Sequence, residues 1–513
     1  MFLFNSDYFL LRISVAGGLA DYLSEFLVQF YYLPWLGAAF LSALLVALQL
    51  AVWLLMRQEQ SSQPSAIGFY ALSFVPSAMT LWLLGDECVL LSYVVALLLT
   101  ILSAWASHRC MDDGMGEKWK IVAELLIVPV LYWLLGAMVW LYALLRVVQR
   151  WRSGLGWRSL WLVGYVPIVI LTAYVSVLSQ WPLSDVFGGL NYYRIPMHST
   201  VLMYIIPLVV VLLLLLSRWK TSFIARAGAW MFIPLFVCLA VTPLFYDTDK
   251  YEMIRQDYLV RNGQWDEIIS RAADYQVETA FSSNCVNLAL AMKGQLADRM
   301  FDFWQSGEDA LFMPRVRDLT SNLPTAEAFW QLGMVNSAQR YMFDIQESIL
   351  NFRKSGRCTK RIAECLIVNG KYQVAAKYLD QLRQTLFYRS WAEEATQCLG
   401  REEKVNSHPE WSRVRQLRYK NDFLYNYGEI DKMMGLLFTN NPRNKMALDY
   451  FMGELLLKGK VQEFQQYMSW VQQYGGYPSM PVGYRDAMMC IEKHGDLPGS
   501  SYGRYVRRMT NPQ

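Results

Sequence analysis

The sequence predicts an all-α protein in two parts: a polytopic transmembrane helix bundle followed by a soluble α-solenoid of tetratricopeptide-like repeats. Three observations carry that reading. Long apolar runs dominate the chain up to Tyr246, charges recur every few residues beyond it, and a Gly-centred phrase repeats through the second part. The averages of 54% hydrophobic and 18% charged residues conceal this division. The formal charge of +4 is too small to imply a nucleic-acid partner.

Residues 1–35 are expected to form an amphipathic interfacial segment. In "AGGLADYLSEFLVQFYYLPW" the pair Gly17-Gly18 marks a turn into a helix over Gly18–Tyr32. Its Leu19, Tyr22, Leu23, Phe26, Leu27 and Phe30 share one face, while Asp21, Glu25 and Gln29 occupy another. Such a helix lies on the bilayer surface before Pro34 redirects the chain. The opening "MFLFNSDYFLLRIS" lacks the basic start and small-residue site of a cleavable leader.

Residues 36–246 read as a transmembrane domain of about 7–8 segments. The candidate runs are Leu36–Met56, Ala66–Leu84, Cys88–Ala106, Ile121–Val148, Trp157–Leu178, Ser199–Leu216 and Gly228–Tyr246. Spanning the hydrocarbon takes about 20 predominantly apolar residues, and Trp and Tyr gather at the run ends, where headgroups lie. The run Ile121–Val148 contains Pro129 and "YWLLGA", and is read as a short hairpin bending near Gly136. A hairpin that enters and leaves on one face puts every basic loop on the cytoplasmic side. Those loops carry Arg57; Arg109, Lys118 and Lys120; Arg146, Arg150, Arg152 and Arg158; and Arg218, Lys220 and Arg226. The "GDE" loop, the Asp185 loop with its single Arg194, and residues 247–513 then face the periplasm. Without the hairpin, the C-terminal part would be cytoplasmic.

In residues 247–513 the recurring phrases are "RNGQWDEII", "MKGQLADRMF", "QLGMVNSAQRYMF", "VNGKYQVAAKYL", "NYGEIDKMMGLLF" and "LKGKVQEFQQYM". Their glycines, Gly263, Gly294, Gly333, Gly370, Gly428 and Gly459, stand 31, 39, 37, 58 and 31 residues apart. The period resembles the roughly 34 residues of tetratricopeptide repeats, each Gly ending one helix in a left-handed cap. The gap of 58 leaves room for a degenerate unit. Stacked pairs of this kind make a concave surface for a protein partner; the bland alternative is an irregular bundle that supports the membrane part. Trp265, Trp304 and Trp330 are expected in inter-helix packing.

The catalytic inventory is thin. His108, His198, His408 and His494 are scattered without metal-ligand spacing, so no metal is assigned. No nucleophile elbow, phosphate loop or dinucleotide fingerprint occurs, so no cofactor is expected. Cys88, Cys110, Cys238, Cys285, Cys358, Cys365, Cys398 and Cys490 contain no CxxC and read as buried free thiols, with pairing between neighbouring repeats the alternative in an oxidising compartment. Of the carboxylates near the membrane (Asp7, Asp21, Glu25, Asp86, Glu87, Asp112, Asp113, Glu124 and Asp185), only Glu124 falls inside an apolar run. Snorkelling, or pairing with Lys120 at i−4, accounts for it. Asp21 and Glu25, four apart on one helical face, are the catalytic candidates: a general base for a lipid-linked substrate, or a solvated face.

The stretch "SDYFLLRISVAGGLADYLSEFLVQFYYLPWLGA", with "LYWLLGA", "RNGQWDEII", "SSNCVNLALAMKGQLADRMF" and "QLGMVNSAQRYMF", resembles a group of uncharacterised multi-pass membrane proteins from Bacteroidota. The resemblance covers most of the chain and implies an inner-membrane location, with no established activity. In that group a further hydrophobic segment and a short acidic motif often precede this region, which implies that a first helix is missing here. The arrangement also resembles, in topology, the GT-C glycosyltransferases that use polyprenyl-phosphate sugars. That likeness implies a catalytic acid in an outer loop, for which Asp21 and Glu25 are the candidates. Two functions are therefore expected: an inner-membrane scaffold presenting a periplasmic repeat domain to a protein or envelope component, or a GT-C-like glycosyltransferase.

Overall fold

The computed structural model describes residues 1–58, 66–86, 88–112, 116–151, 156–189, 200–217, 232–316, 318, 320–349, 353–419, 426–473, 476–493 and 497–510. Among them the chain is helical, with turns and no strand. It divides into two compact units: residues 1–247 with 384–387, and residues 248–383 with 388–513.

The first unit contains α1 (Ser6–Ile13), α2 (Gly18–Val28), α3 (Pro34–Gln58), α4 (Ala66–Leu72), α5 (Val75–Leu83), α6 (Leu91–Ser107), α7 (Glu117–Leu135), α8 (Val139–Trp151), α9 (Gly156–Ser159), α10 (Trp161–Ala173), α11 (Leu183–Gly188), α12 (Leu202–Leu216) and α13 (Ile233–Val241). Among the described residues, four helical stretches are long and apolar enough to cross a membrane: Pro34–Gln58, Leu91–Met111, Glu117–Trp151 and Trp157–Leu178. Of the other expected segments, shorter apolar helices run over Phe69–Leu83, Leu202–Leu216 and Ile233–Phe245.

Helix α6 is the hub, packing against α2, α3, α7 and α8. Its Ser92, Ala96, Thr100 and Ala104 repeat every four residues and all are fully buried. Small side chains at that spacing let neighbouring helix backbones approach closely, which drives association where lipid removes the usual hydrophobic gain. Helix α12 shows the opposite face: Tyr204, Ile205, Leu208, Leu212 and Leu215 are exposed at helical spacing. An apolar stripe of that size on an outer helix suits hydrocarbon, not water.

The Glu117–Trp151 stretch is not one straight rod. Its 35 residues would span about 52 Å as a straight helix. Instead α7 stops at Gly136, whose φ of 66 and ψ of −142 lie outside helical space, and α8 packs back against α7.

The second unit is built of helix pairs joined at glycines. Gly263, Gly294, Gly333, Gly370 and Gly459 adopt positive φ. At each, the next residue's N–H bonds a carbonyl five residues back: Gln264 to Leu259, Gln295 to Leu290, Met334 to Phe329, Lys371 to Leu366 and Lys460 to Leu455. This is the Schellman closure, which satisfies the last carbonyls of the first helix. Gly428 differs from expectation: it lies inside a 3-10 turn, its N–H bonded to the Asn426 side chain. The long gap before it does hold another left-handed turn, at Gly400.

Contacts also run beyond neighbouring pairs. Asn444 Nδ2 donates to Leu332 O at 3.0 Å, and the rings of Phe312 and Tyr450 lie 5.2 Å apart. Val482 N donates to Asp298 Oδ1 at 2.7 Å. Helices Ala280–Met292, Leu323–Leu332 and Lys445–Leu457 are buried around nearly their whole circumference and form the core. Open solenoids restrict contacts to adjacent repeats; this unit also packs late helices on early ones.

Candidate functional site

Two charged constellations lie inside the first unit. The first is made by the N-terminal corner. Asn5 caps α1 by accepting from Tyr8 N at 2.7 Å. The chain then turns at Gly17, in left-handed conformation with φ 84. A Cβ on Gly18 would sit 2.2 Å from Arg12 O, so only glycine lets α2 fold so closely on α1. The fold-back brings Arg12 Nε to Glu25 Oε2 at 3.0 Å, with both side chains largely buried. The Tyr8 hydroxyl donates to the same oxygen, and the Arg12 guanidinium covers the Tyr8 ring at 4.9 Å.

The corner is fastened to the hairpin by a reciprocal pair of hydrogen bonds. Gly17 N donates to Trp133 O at 2.9 Å, and Trp133 Nε1 donates to Ile13 O at 2.8 Å. Because α7 ends at Leu135, Trp133 O has no intrahelical partner of its own. Gly17 supplies one.

Helix α2 is covered by protein on both faces: Leu23 and Leu27 pack against the hydrophobic core, and Tyr22 and Phe26 against Phe2. Asp21 is only 2% exposed, and it lies with Gly18, Ala20 and Ser24 on the buried face, in a helix that packs on α6 and α7. The acids therefore face protein rather than water.

The second constellation lies at the foot of the hairpin, where Glu124 on α7 is wholly buried. Arg146 Nε donates to its Oε1 at 3.1 Å and Arg150 Nη1 to its Oε2 at 2.8 Å. Arg146 Nη1 also donates to Gln149 Oε1 at 2.8 Å, and Ser107 Oγ and Tyr142 Oη are 3.0 Å apart beside it. Lys120, the expected partner of Glu124, also bonds Glu117 at 3.4 Å. Arg146 and Arg150, expected as loop charges, are buried partners of Glu124. A signal was there: Glu124 stands twelve residues before Gly136, and the two arginines ten and fourteen after it. A reversal at Gly136 brings the three level.

Residues 1–508 match the model of DUF6057, a family of unknown function. The chain belongs to that family. The match runs through both units. No curated protein and no solved structure matches the chain.

The other sequence candidates are scattered. Asp86 accepts from Cys88 N at 2.9 Å and from Thr200 Oγ1 at 2.7 Å, and Asp185 lies in the first turn of α11. Asp7 lies in the first turn of α1, and Asp112 and His108 lie in a π-turn after α6. His408 is a helix cap: its Nδ1 accepts from Trp411 N at 3.3 Å and its ring stacks on Trp411 at 3.9 Å. Glu87, Asp113, Arg152, Arg194, His198, Arg218, Lys220, Arg226 and His494 lie outside the described residues. All eight cysteines are free thiols. Among the described residues, no three His, Cys, Asp or Glu side chains converge as metal ligands.

Proposed function

We propose that this protein is a multi-pass protein of a bacterial inner membrane whose second unit serves as a periplasmic helical-repeat scaffold for a protein or envelope component. The observation that carries the reading is the Schellman turn repeated at Gly263, Gly294, Gly333, Gly370 and Gly459. Repetition of one closure is what stacked helix pairs share, and stacked pairs are the general basis of repeat-protein recognition. The apolar outer faces of α10 and α12 support a bilayer as the second partner. The hairpin of α7 and α8 supports the orientation with basic loops in the cytoplasm.

The geometry around Asp21 and Glu25 supports a structural latch over a general base. A base needs access to the proton it takes, whereas Asp21 is buried and Glu25 is engaged by Arg12 and Tyr8. A lipid-linked substrate and glycosyl transfer therefore draw no support from this site.

Cross-linking in intact cells followed by mild solubilisation tests the scaffold. A discrete stoichiometric partner, cross-linked through residues of 248–513, is the expected result; a chain that never cross-links through that unit overturns it. A C-terminal reporter active only in the periplasm is expected, and one active only in the cytoplasm overturns the orientation.

A further inference from the structure

The turn ends of the second unit enclose a cavity of about 320 Å³, lined in part by Gly333, Asn336, Asn369, Lys371, Arg418 and Tyr419. That size is at the small end of ligand pockets, roughly 300–1,000 Å³. Three separate turns build it. Gly333 is required twice, for its φ of +83 and because a Cβ would lie 2.7 Å from the Leu417 carbonyl carbon. Its bare Cα lets the end of the Pro409–Leu417 helix come in close and delivers Arg418 to the wall.

The wall is a directed ladder. Arg418 Nη1 donates to Asn369 Oδ1 at 2.6 Å, and Asn369 Nδ2 donates to Asn336 Oδ1 at 2.7 Å. A guanidinium has no acceptor, so Asn369 must turn its oxygen to Arg418 and its amide nitrogen to Asn336. That fixes the orientation of both amides chemically, and both side-chain acceptors are used within the ladder. Lys371 is exposed at the rim. The described lining contains two cations and no carboxylate, and the partner of the half-buried Arg418 side chain is the neutral amide of Asn369. A carboxylate seated between Arg418 and Lys371 makes charge-assisted hydrogen bonds to both cations.

We infer that this cavity is a binding site for a carboxylate-bearing segment of a partner protein, read by Arg418 and Lys371 and oriented by the Asn336–Asn369 ladder. The inference rests on the scaffold reading and gives it a place and a chemistry.

The test uses the full-length protein in detergent and a fluorescein-labelled peptide of alternating glycine and glutamate, with the matching glycine–lysine peptide and inorganic phosphate as comparisons. Binding of the glutamate peptide alone is expected, weakening as salt rises. Arg418→Met and Lys371→Met should each weaken it about tenfold or more, while Arg443→Met, an exposed cation elsewhere, leaves it unchanged. Equal binding by wild type and both variants overturns the inference, as does equal binding of both peptides or binding of phosphate without peptide. If Arg418→Met fails to fold, the exposed Lys371→Met carries the comparison. A cellular partner that cross-links equally well to Arg418→Met overturns the cavity but leaves the scaffold; peptide binding without any cellular partner does the reverse.

Discussion

Arg146 Nε and Glu124 Oε1 meet at 3.1 Å across a chain reversal, with neither side chain reaching solvent. In one continuous helix, residues 22 positions apart would lie about 33 Å from each other. The ion pair is thus both the proof of the hairpin and its clasp. Arg150 doubles it from one turn further along α8.

Replacing the shared carboxylate should be severe. Glu124→Gln leaves two arginines side by side in a buried site, and breaking a buried ion pair from one side costs about 3–5 kcal/mol. Thermal unfolding of the detergent-solubilised protein should show a clear fall in Tm. A variant as stable as wild type would remove the clasp from the argument.

The hairpin makes a topological prediction. Single cysteines placed at Lys118 and Trp157, in a chain whose native cysteines are replaced, should react with a membrane-impermeant maleimide from the same side. Labelling from opposite sides would require the 35-residue stretch to cross as one span and would contradict the reversal.

The N-terminal corner depends on two glycines and one indole. Gly18→Ala should cost about 1–3 kcal/mol or more, since the added Cβ collides with Arg12 O and displaces Arg12 from Glu25. Trp133→Phe, which loses the bond to Ile13 O and part of the ring's packing, should cost about 1 kcal/mol or somewhat more. Gly188→Ala, whose Cβ meets nothing within 4 Å, should be neutral. Limited proteolysis between α1 and α2 ranks the three; equal susceptibility would refute the close-approach explanation.

Asp449 sets a pH dependence in the second unit. It is buried beside Tyr477, which donates to it at 2.7 Å, and burial pushes its carboxyl up to about 7, with Asp298 adding to the rise and Lys445 and the Tyr477 bond opposing it. A carboxyl raised in the folded state is fully tolerated below its ordinary value near 4. Its contribution is then lost progressively as pH rises from about 4 to about 7. Asp449→Asn should therefore flatten this part of the stability profile, gaining up to about 4 kcal/mol over wild type above pH 7 and little at pH 4. Denaturant titrations at the two pH values measure the difference; the same gain at both would show that ionisation of Asp449 is not the cause.

Much of the architecture was legible in the chain. Apolar length marked out Pro34–Gln58, Leu91–Met111 and Trp157–Leu178, and Pro129 with Gly136 pointed to a break between α7 and α8. The Gly phrase located five left-handed turns because a Schellman closure is local: it needs only the helix before it and a residue without a Cβ. Gly428 resembled those five in sequence, but the side chain of Asn426 took its N–H and made a 3-10 turn instead.

The charged constellations were not legible in the same way. Periodicity sorted Asp21 and Glu25 onto one face correctly, yet could not say whether that face met water or α6 and α7. Composition identified Glu124 as an acid in an apolar run, and its nearest sequence neighbour Lys120 looked sufficient; only the reversal brought Arg146 and Arg150 within reach. Sequence alone determined the helices and most of their turns, because these depend on backbone closure and on the polarity of consecutive residues. Tertiary structure decided the partners of Glu25 and Glu124 and the ladder behind Arg418, because a buried charge is stabilised by whatever group the fold brings within about 3 Å, at whatever separation along the chain.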